Sequence, residues 1–238
     1  MKSLKIWFID PMEINYDPDT PYQAPLGGTQ AAVAYLSAEL VKLGHEVLLL
    51  NRTQNEHETR GVQCVPFGPL DLKGIEKLKS YDRPDFILVV CGSAYGATLK
   101  RYLPDVPIFL YMHHHVDQKA ALPLERAENR AAWDRYLFVA NWQSAAYQQE
   151  YGIEAERCLV LHNAIAPTFA EACANIDIVQ EKKPILVYTS TPFRGLKHLA
   201  KLFPPIKQAF PKAQLRIFSS LKVYQQDQED HAYEELYQ

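Results

Sequence analysis

Short, almost unbroken apolar runs alternate with longer segments of helical period, and this alternation restricts the fold more than any other feature of the chain. Leu4–Ile9 (LKIWFI), Glu46–Leu50 (EVLLL), Phe86–Val90 (FILVV), Ile108–Met112 (IFLYM), Tyr136–Ala140 (YLFVA) and Cys158–Leu161 (CLVL) read as strands. Near-continuous hydrophobicity suits parallel strands covered on both faces. Between them, Thr29–Leu43 places Ala32, Val33, Leu36, Leu40 and Leu43 on one helical face, and Gly44 supplies the stop. Asn141–Tyr151 reads as another helix, with Asn141 as its expected cap and Gly152 as its end. Strands and helices in this order predict a doubly wound parallel sheet of the α/β class.

The rhythm breaks from Pro167 to Lys183, which reads as a connection into a second α/β unit. That unit has a strand (Ile185–Tyr188), a helix (about Gly195–Phe210) and a strand (Leu215–Phe218); DQEDHAYEELYQ then reads as a polar helix or a frayed tail. The expected division is residues 1–170 for the first domain and 171–238 for the linker and the opening of the second. One strand–helix–strand unit cannot cover both faces of a sheet, so the second domain is expected to be incomplete.

Charge and composition exclude several classes. The net charge is −3 and the basic residues are scattered, so no nucleic-acid partner is expected. No run of about eighteen apolar residues exists, which argues against a membrane span. The N-terminal apolar run is short and broken by Asp10, unlike a signal peptide. Cys64, Cys91 and Cys158 lie in strand-like surroundings and, with Cys173, lack metal or redox spacing; the first three read as reduced core residues of a cytoplasmic protein.

Five segments carry candidate chemistry. Gly27-Gly28 precedes the first long helix; it either lets backbone approach a ligand or forms a flexible turn, with Thr29 as a cap. The pair is neither GxGxxG nor a P-loop. His113-His114-His115 with Asp117 follows a predicted strand, where open α/β sheets bind ligands. Neighbours in extended chain point to opposite faces, so the run reads as one histidine in a cleft, with Asp117 orienting it or binding a hydroxyl, and not as a metal site. Val139–Ser144 (VANWQS) is a strand-to-helix turn, and His162–Ile165 (HNAI) ends a strand. Thr189–Lys197 (TSTPFRGLK) follows a buried strand with a hydroxyl-rich turn. Arg194 there offers a planar fork and Lys197 a point charge for phosphate oxygens, unless both are merely solvated.

In this order the segments resemble the retaining glycosyltransferases of family 4, whose two Rossmann-like domains face each other across a cleft (the GT-B fold). The resemblance runs through nearly the whole chain, and LHNAI together with STPFRGLKHL is its most specific part; YTSTPFRGL is similar to a bacterial subgroup of hexosyltransferases. The resemblance implies hexosyl transfer from a nucleotide diphosphate sugar with retention of configuration, without a metal or other cofactor. Arg194 and Lys197 would hold the donor diphosphate, and Gly28 with Gly27 would close on it. His114, or His113 if the register shifts, would contact the transferred sugar, with Asp117 as a weaker catalytic candidate. Asn163 would belong to the hinge and Thr191 to the cleft. The acceptor would be a sugar, lipid or protein, with Tyr16, Asp17, Asp19 and Tyr22 as expected contacts.

Family members continue with strands bearing a Glu…Glu motif, which is not found before Gln238; Asp230, Glu234 and Glu235 lack its context. The chain is therefore expected to be truncated within its donor domain. The rival expectation is a catalytically inactive product or interaction subunit, marked by exposed apolar surface and self-association. A nucleotide-sugar epimerase is a third, but no acid/base pair of carboxylates can be assigned to it.

Overall fold

In a computed structural model, residues 2–68, 76–174 and 183–237 are described. The chain divides into two compact units, Met1–Ala24 with Gly28–Ala164, and Pro25–Gly27 with Ile165–Gln238.

The described residues of the first unit build an eight-stranded sheet from β1 (Lys5–Ile9), β2 (Glu46–Asn51), β3 (His57–Thr59), β4 (Val62–Pro66), β5 (Phe86–Val90), β6 (Ile108–Met112), β7 (Arg135–Phe138) and β8 (Cys158–Val160). The order is β3-β4-β2-β1-β5-β6-β7-β8, and every pairing is parallel except β3 with β4. Phe8, Ile9, Leu49, Leu50, Ile87 and Val89 are fully buried, as strands covered on both faces require. β3 and β4 were not expected. They form an edge hairpin whose two turn residues, Arg60 (φ +52°) and Gly61 (φ +75°), are both left-handed, as a tight two-residue turn demands.

The helices of this unit whose bounds fall among the described residues include α1 (Thr20–Gln23), α2 (Gly28–Lys42), α3 (Gly96–Tyr102), α4 (Ala127–Ala131) and α5 (Asn141–Tyr151). The buried face of α2 is Gln30, Val33, Ala34, Ser37 and Ala38. The expected apolar face was therefore wrong except at Val33, and Leu43 is exposed. Small side chains let the helix lie close to the sheet, and the larger leucines flank that contact. Two expected caps are also corrected. Helix α2 already begins at Gly28, so Thr29 lies inside its first turn. In α5 the cap position belongs to Ala140, and Asn141 is the first helical residue. Gly152 does end α5, in the left-handed conformation. Cys64 and Cys91 are buried thiols, whereas Cys158 is only half-buried because β8 is an edge strand.

In the second unit the segment read as a plain connection contains a helix, α6 (Pro167–Cys173), opened by Pro167 where a missing N–H costs nothing. A parallel pair follows, β9 (Ile185–Tyr188) with β10 (Gln214–Ile217), joined through α7 (Leu196–Ala209). The last segment is ordered as α8 (Asp227–Asp230), a 3₁₀ turn and α9 (Glu234–Tyr237). Asp230 anchors it, accepting bonds from Ser220 Oγ, the Leu221 N–H and Tyr237 Oη, each at 2.7 Å.

Candidate functional site

In the first unit the strand order reverses direction between β1 and β5, the switch point at which open α/β sheets bind ligands. The chain leaves β1 at Asp10, which is almost fully buried. Its carboxylate accepts the Met12 N–H (3.0 Å), Tyr16 Oη–H (2.9 Å) and Gln30 Nε2–H (3.1 Å). Burial raises its pKa and the three hydrogen bonds oppose that shift. Gln30, in the first turn of α2, thus ties the start of the helix to the end of β1.

The chain leaves β5 through Cys91 in a left-handed conformation (φ +52°), then Gly92. A Cβ on Gly92 would lie 2.8 Å from Tyr95, 2.9 Å from Val89 and 3.0 Å from Pro11, so only glycine fits where the two strand ends meet. Burial pushes the Cys91 thiol up to about 12, which makes it an inert core group.

Beyond β6 the histidine run is held by one face of α5. Gln143, Tyr147 and Tyr151 recur every four residues and are buried. Gln143 Nε2 donates to the Met112 and His114 carbonyls (3.1 and 2.9 Å), while its Oε1 accepts the Val139 N–H (2.9 Å). Tyr147 Oη donates to the His114 carbonyl (2.9 Å) and Tyr151 Oη to that of Val116 (2.8 Å). The three histidines differ in setting. His113 packs edge-on against Tyr111 at 4.4 Å, its Nε2 is buried without a described partner, and burial pushes its pKa down to about 4, leaving it neutral. His114 is half-buried, with its carbonyl fixed by two donors. His115 Nδ1 bonds Asp117 Oδ1 at 2.9 Å, and its ring stacks on Trp142. Asp117 thus orients His115.

The residues expected to meet an acceptor each have partners within the first unit, in their own loop or on the β3–β4 hairpin. Tyr16 is buried against Asp10. Asp17 bonds Thr20 and His57, and Asp19 bonds Thr59 and Arg60. Tyr22 is covered by the Arg60 guanidinium at 3.9 Å.

Within the second unit, β9 leads to Thr191, a 3₁₀ turn (Pro192–Arg194), Gly195 at φ +105° and the N-terminus of α7. Thr191 is buried. Its carbonyl accepts Tyr188 Oη–H (2.7 Å) and the Arg194 N–H (3.0 Å), while its Oγ1 has no hydrogen-bond partner among the described residues. Arg194 and Lys197 are exposed, and neither is ion-paired with a described residue. A groove of about 500 Å³ adjoins the turn, lined by Phe193, Gly195, Lys197, His198 and Tyr233 together with the acidic residue Glu235. Unpaired cations, a buried hydroxyl and the N–H groups of a long helix converge on this turn, which is the chemistry of an anion site.

Of the remaining expected residues, Gly27 is buried and Gly28 exposed, and a Cβ on Gly28 would meet nothing within 4 Å. Asn163 is exposed and stands just before Ala164, where the first unit ends. Among the described residues, no group of three or more His, Cys, Asp or Glu could hold a metal, and no helix is long and apolar enough to cross a membrane. Asp10, Gly92 and Gln143 were missed. Gly92 in Cys-Gly-Ser after a strand was the visible signal; the bonds of Asp10 and Gln143 join positions far apart in sequence.

Residues 26–169 match the family model described as Glycosyltransferase Family 4. No match is found among curated protein sequences. Among solved structures, the chain is similar to a glycosyltransferase from Rickettsia africae (12% identity, TM-score 0.60, 99% of this chain on 65% of that one). It is similar to HepE of Anabaena, solved in complex with UDP-glucose (14%, 0.64, 98% on 64%). It also resembles the catalytic domain of starch synthase IV from Arabidopsis thaliana, bound to ADP and acarbose (11%, 0.58, 96% on 71%). The chain therefore spans about two thirds of the length of these structures. At such identities the likeness shows the fold alone.

Proposed function

Because the chain belongs to glycosyltransferase family 4 and has an α/β fold of the GT-B type, we propose that it serves the transfer of a hexosyl group from a nucleotide diphosphate sugar to an acceptor, with retention of configuration and without a metal. The observation that carries this reading is the Thr191–Lys197 turn, where two unpaired cations flank the N-terminus of a 14-residue helix. Arg194 would bind diphosphate oxygens through its fork and Lys197 as a point charge. Both would neutralise the charge that grows on the leaving diphosphate as the glycosidic bond breaks. A left-handed Gly195 lets the backbone turn into the helix without obstructing the anion. In the first unit, His114 would hydrogen-bond the transferred sugar from a backbone pinned by Gln143 and Tyr147. Asp117 would act beside it, Gly27 and Gly28 would approach the donor phosphate, and Asn163 and Thr191 would serve the hinge and the cleft.

A second reading is favoured by one observation: Val187, Leu202, Phe210 and Phe218 of the second unit are all more than half exposed. Such a surface fits a non-catalytic product, or a subunit whose donor site another chain completes. The two readings separate on incubation with UDP-, GDP- and ADP-hexoses and a panel of sugar acceptors without added metal, followed by NMR at the anomeric proton of the glycoside formed. Release of a product with the donor's anomeric configuration supports transfer. A folded chain that binds a nucleoside diphosphate without turnover supports the second reading. An inverted product contradicts the retaining mechanism.

A further inference from the structure

The Val139–Gln143 turn holds two large side chains with opposite fates. Gln143 is buried and makes three hydrogen bonds. Trp142 beside it is 63% exposed. Its one ring contact among the described residues is His115, with centroids 5.7 Å apart and planes 28° from parallel. Its indole N–H bonds no described residue. The other two tryptophans, Trp7 and Trp133, are buried. Tryptophan offers the largest apolar burial of any side chain, and here the fold leaves it in water.

The platform has a fixed polar rim. His115 is oriented by the 2.9 Å bond from its Nδ1 to Asp117 Oδ1, which leaves His115 Nε2 and Asp117 Oδ2 for another partner. All three residues follow the carboxyl ends of β6 and β7, at the same end of the sheet as Asp10 and Gly92.

We propose that Trp142, His115 and Asp117 form an acceptor subsite for a carbohydrate, with a pyranose ring laid on the indole and its hydroxyls bonded by the imidazole and the carboxylate. The proposal rests on the transferase reading above, and narrows its acceptor from sugar, lipid or protein to sugar. A pyranose presents C–H groups on one face and hydroxyls around its edge. The C–H face suits the electron-rich face of indole, and a carboxylate with an imidazole can accept from and donate to neighbouring hydroxyls. A membrane-inserting or protein-docking helix would continue its apolar stripe along the same face. Beyond Trp142 that face is Ala145, Ala146 and Gln149, and the adjoining loop carries Asp117 and Lys119 rather than a cationic cluster.

Acrylamide quenching of the full chain tests this directly, because Trp142 is the one solvent-exposed tryptophan. Maltose, lactose and N,N′-diacetylchitobiose, each at millimolar concentration, are compared with vesicles of phosphatidylglycerol and with a protein dilution series. At least one disaccharide is expected to protect the fluorescence. Saturation-transfer NMR with that sugar should show Trp142→Ala weakening binding at least about tenfold, Trp142→Phe retaining most of it, and Asp117→Asn weakening it too. Unchanged melting curves would establish that the variants fold. Protection by none of the sugars overturns the proposal. So does protection by vesicles alone, or by raised protein concentration alone. A chain that binds a nucleoside diphosphate but no sugar loses this inference only; one that binds sugar but no nucleoside diphosphate loses the donor reading only.

Discussion

Gln143 decides the geometry at the end of β6, since both functional groups of its amide are used in fixing the histidine run to the end of β7. Gln143→Leu preserves the approximate volume but removes the side-chain partner of the Met112 carbonyl and the Val139 N–H, and leaves the His114 carbonyl with the Tyr147 hydroxyl alone. It is expected to cost about 2–3 kcal/mol in urea unfolding and to shift the His113–His115 imidazole resonances. A second residue-scale prediction concerns pH. His57 Nδ1 lies 2.9 Å from the Asn55 carbonyl and Nε2 3.1 Å from Asp17 Oδ2, so both nitrogens donate only in the imidazolium. The carbonyl of Asn55 first, and then Asp17, raise the His57 pKa above 6.5. Burial pushes the Asp17 pKa up, but hydrogen bonds from His57 and Thr20 more than offset that and hold it below 3.8. The histidine contribution is therefore full below pH 6.5 and lost as pH rises through the raised value. That of Asp17 is full above pH 3.8 and lost as pH falls through the lowered one. The melting temperature should decline from pH 6.5 upward through this pair, and His57→Gln should flatten that decline; an unchanged slope would remove the pair from the loop's stability.

At the scale of elements, what could be read in the sequence depended on how local its cause was. The strands β1, β5 and β6 were legible because a parallel strand buried on both faces is apolar at nearly every position. β4 was not, because VQCVP is short, interrupted by the exposed Gln63 and ends in proline, although it lies within the sheet between β3 and β2. The face of α2 was misjudged because its contact with the sheet is made by Ala34, Ser37 and Ala38 rather than by the leucines. Helix α7 was legible despite Pro204 and Pro205, whose missing N–H groups its amphipathic remainder tolerates. The TSTPFRGLK turn was legible as a strand-to-helix turn with exposed cations, because its strand, hydroxyls and basic residues are contiguous in sequence. The network of Asp10, Tyr16 and Gln30 emerges only once β1, the loop after it and α2 meet, whereas the contact of Asp117 with a histidine of the run spans two residues and was legible, though which histidine it orients was not. Gly195→Ala tests the turn as an element. No atom lies within 4 Å of the new Cβ, so its cost is the left-handed backbone alone. It is expected to lower stability by about 1–2 kcal/mol and to weaken nucleoside diphosphate binding by tilting Arg194 away from Lys197. Unchanged affinity in a folded variant would mean that the turn's conformation is not what arranges the two cations.

For the whole molecule, the two units differ in how far their apolar surface is covered. The first buries an eight-stranded sheet, while the second exposes Val187, Leu202, Phe210 and Phe218 around a two-stranded one. Sedimentation velocity is expected to show concentration-dependent association that Phe210→Asp with Phe218→Asp reduces, leaving the first unit's melting unchanged; association indifferent to these changes would place it elsewhere. Whether the second unit nonetheless offers a working donor-phosphate turn is the question on which the proposed function depends. Calorimetric titration with UDP, GDP and ADP without metal, on the 238-residue chain and on Arg194→Ala/Lys197→Ala, answers it most directly. The predicted result is binding of at least one nucleoside diphosphate that the double variant loses while remaining folded. Absence of binding by the folded parent chain, or binding that survives both substitutions, would contradict it.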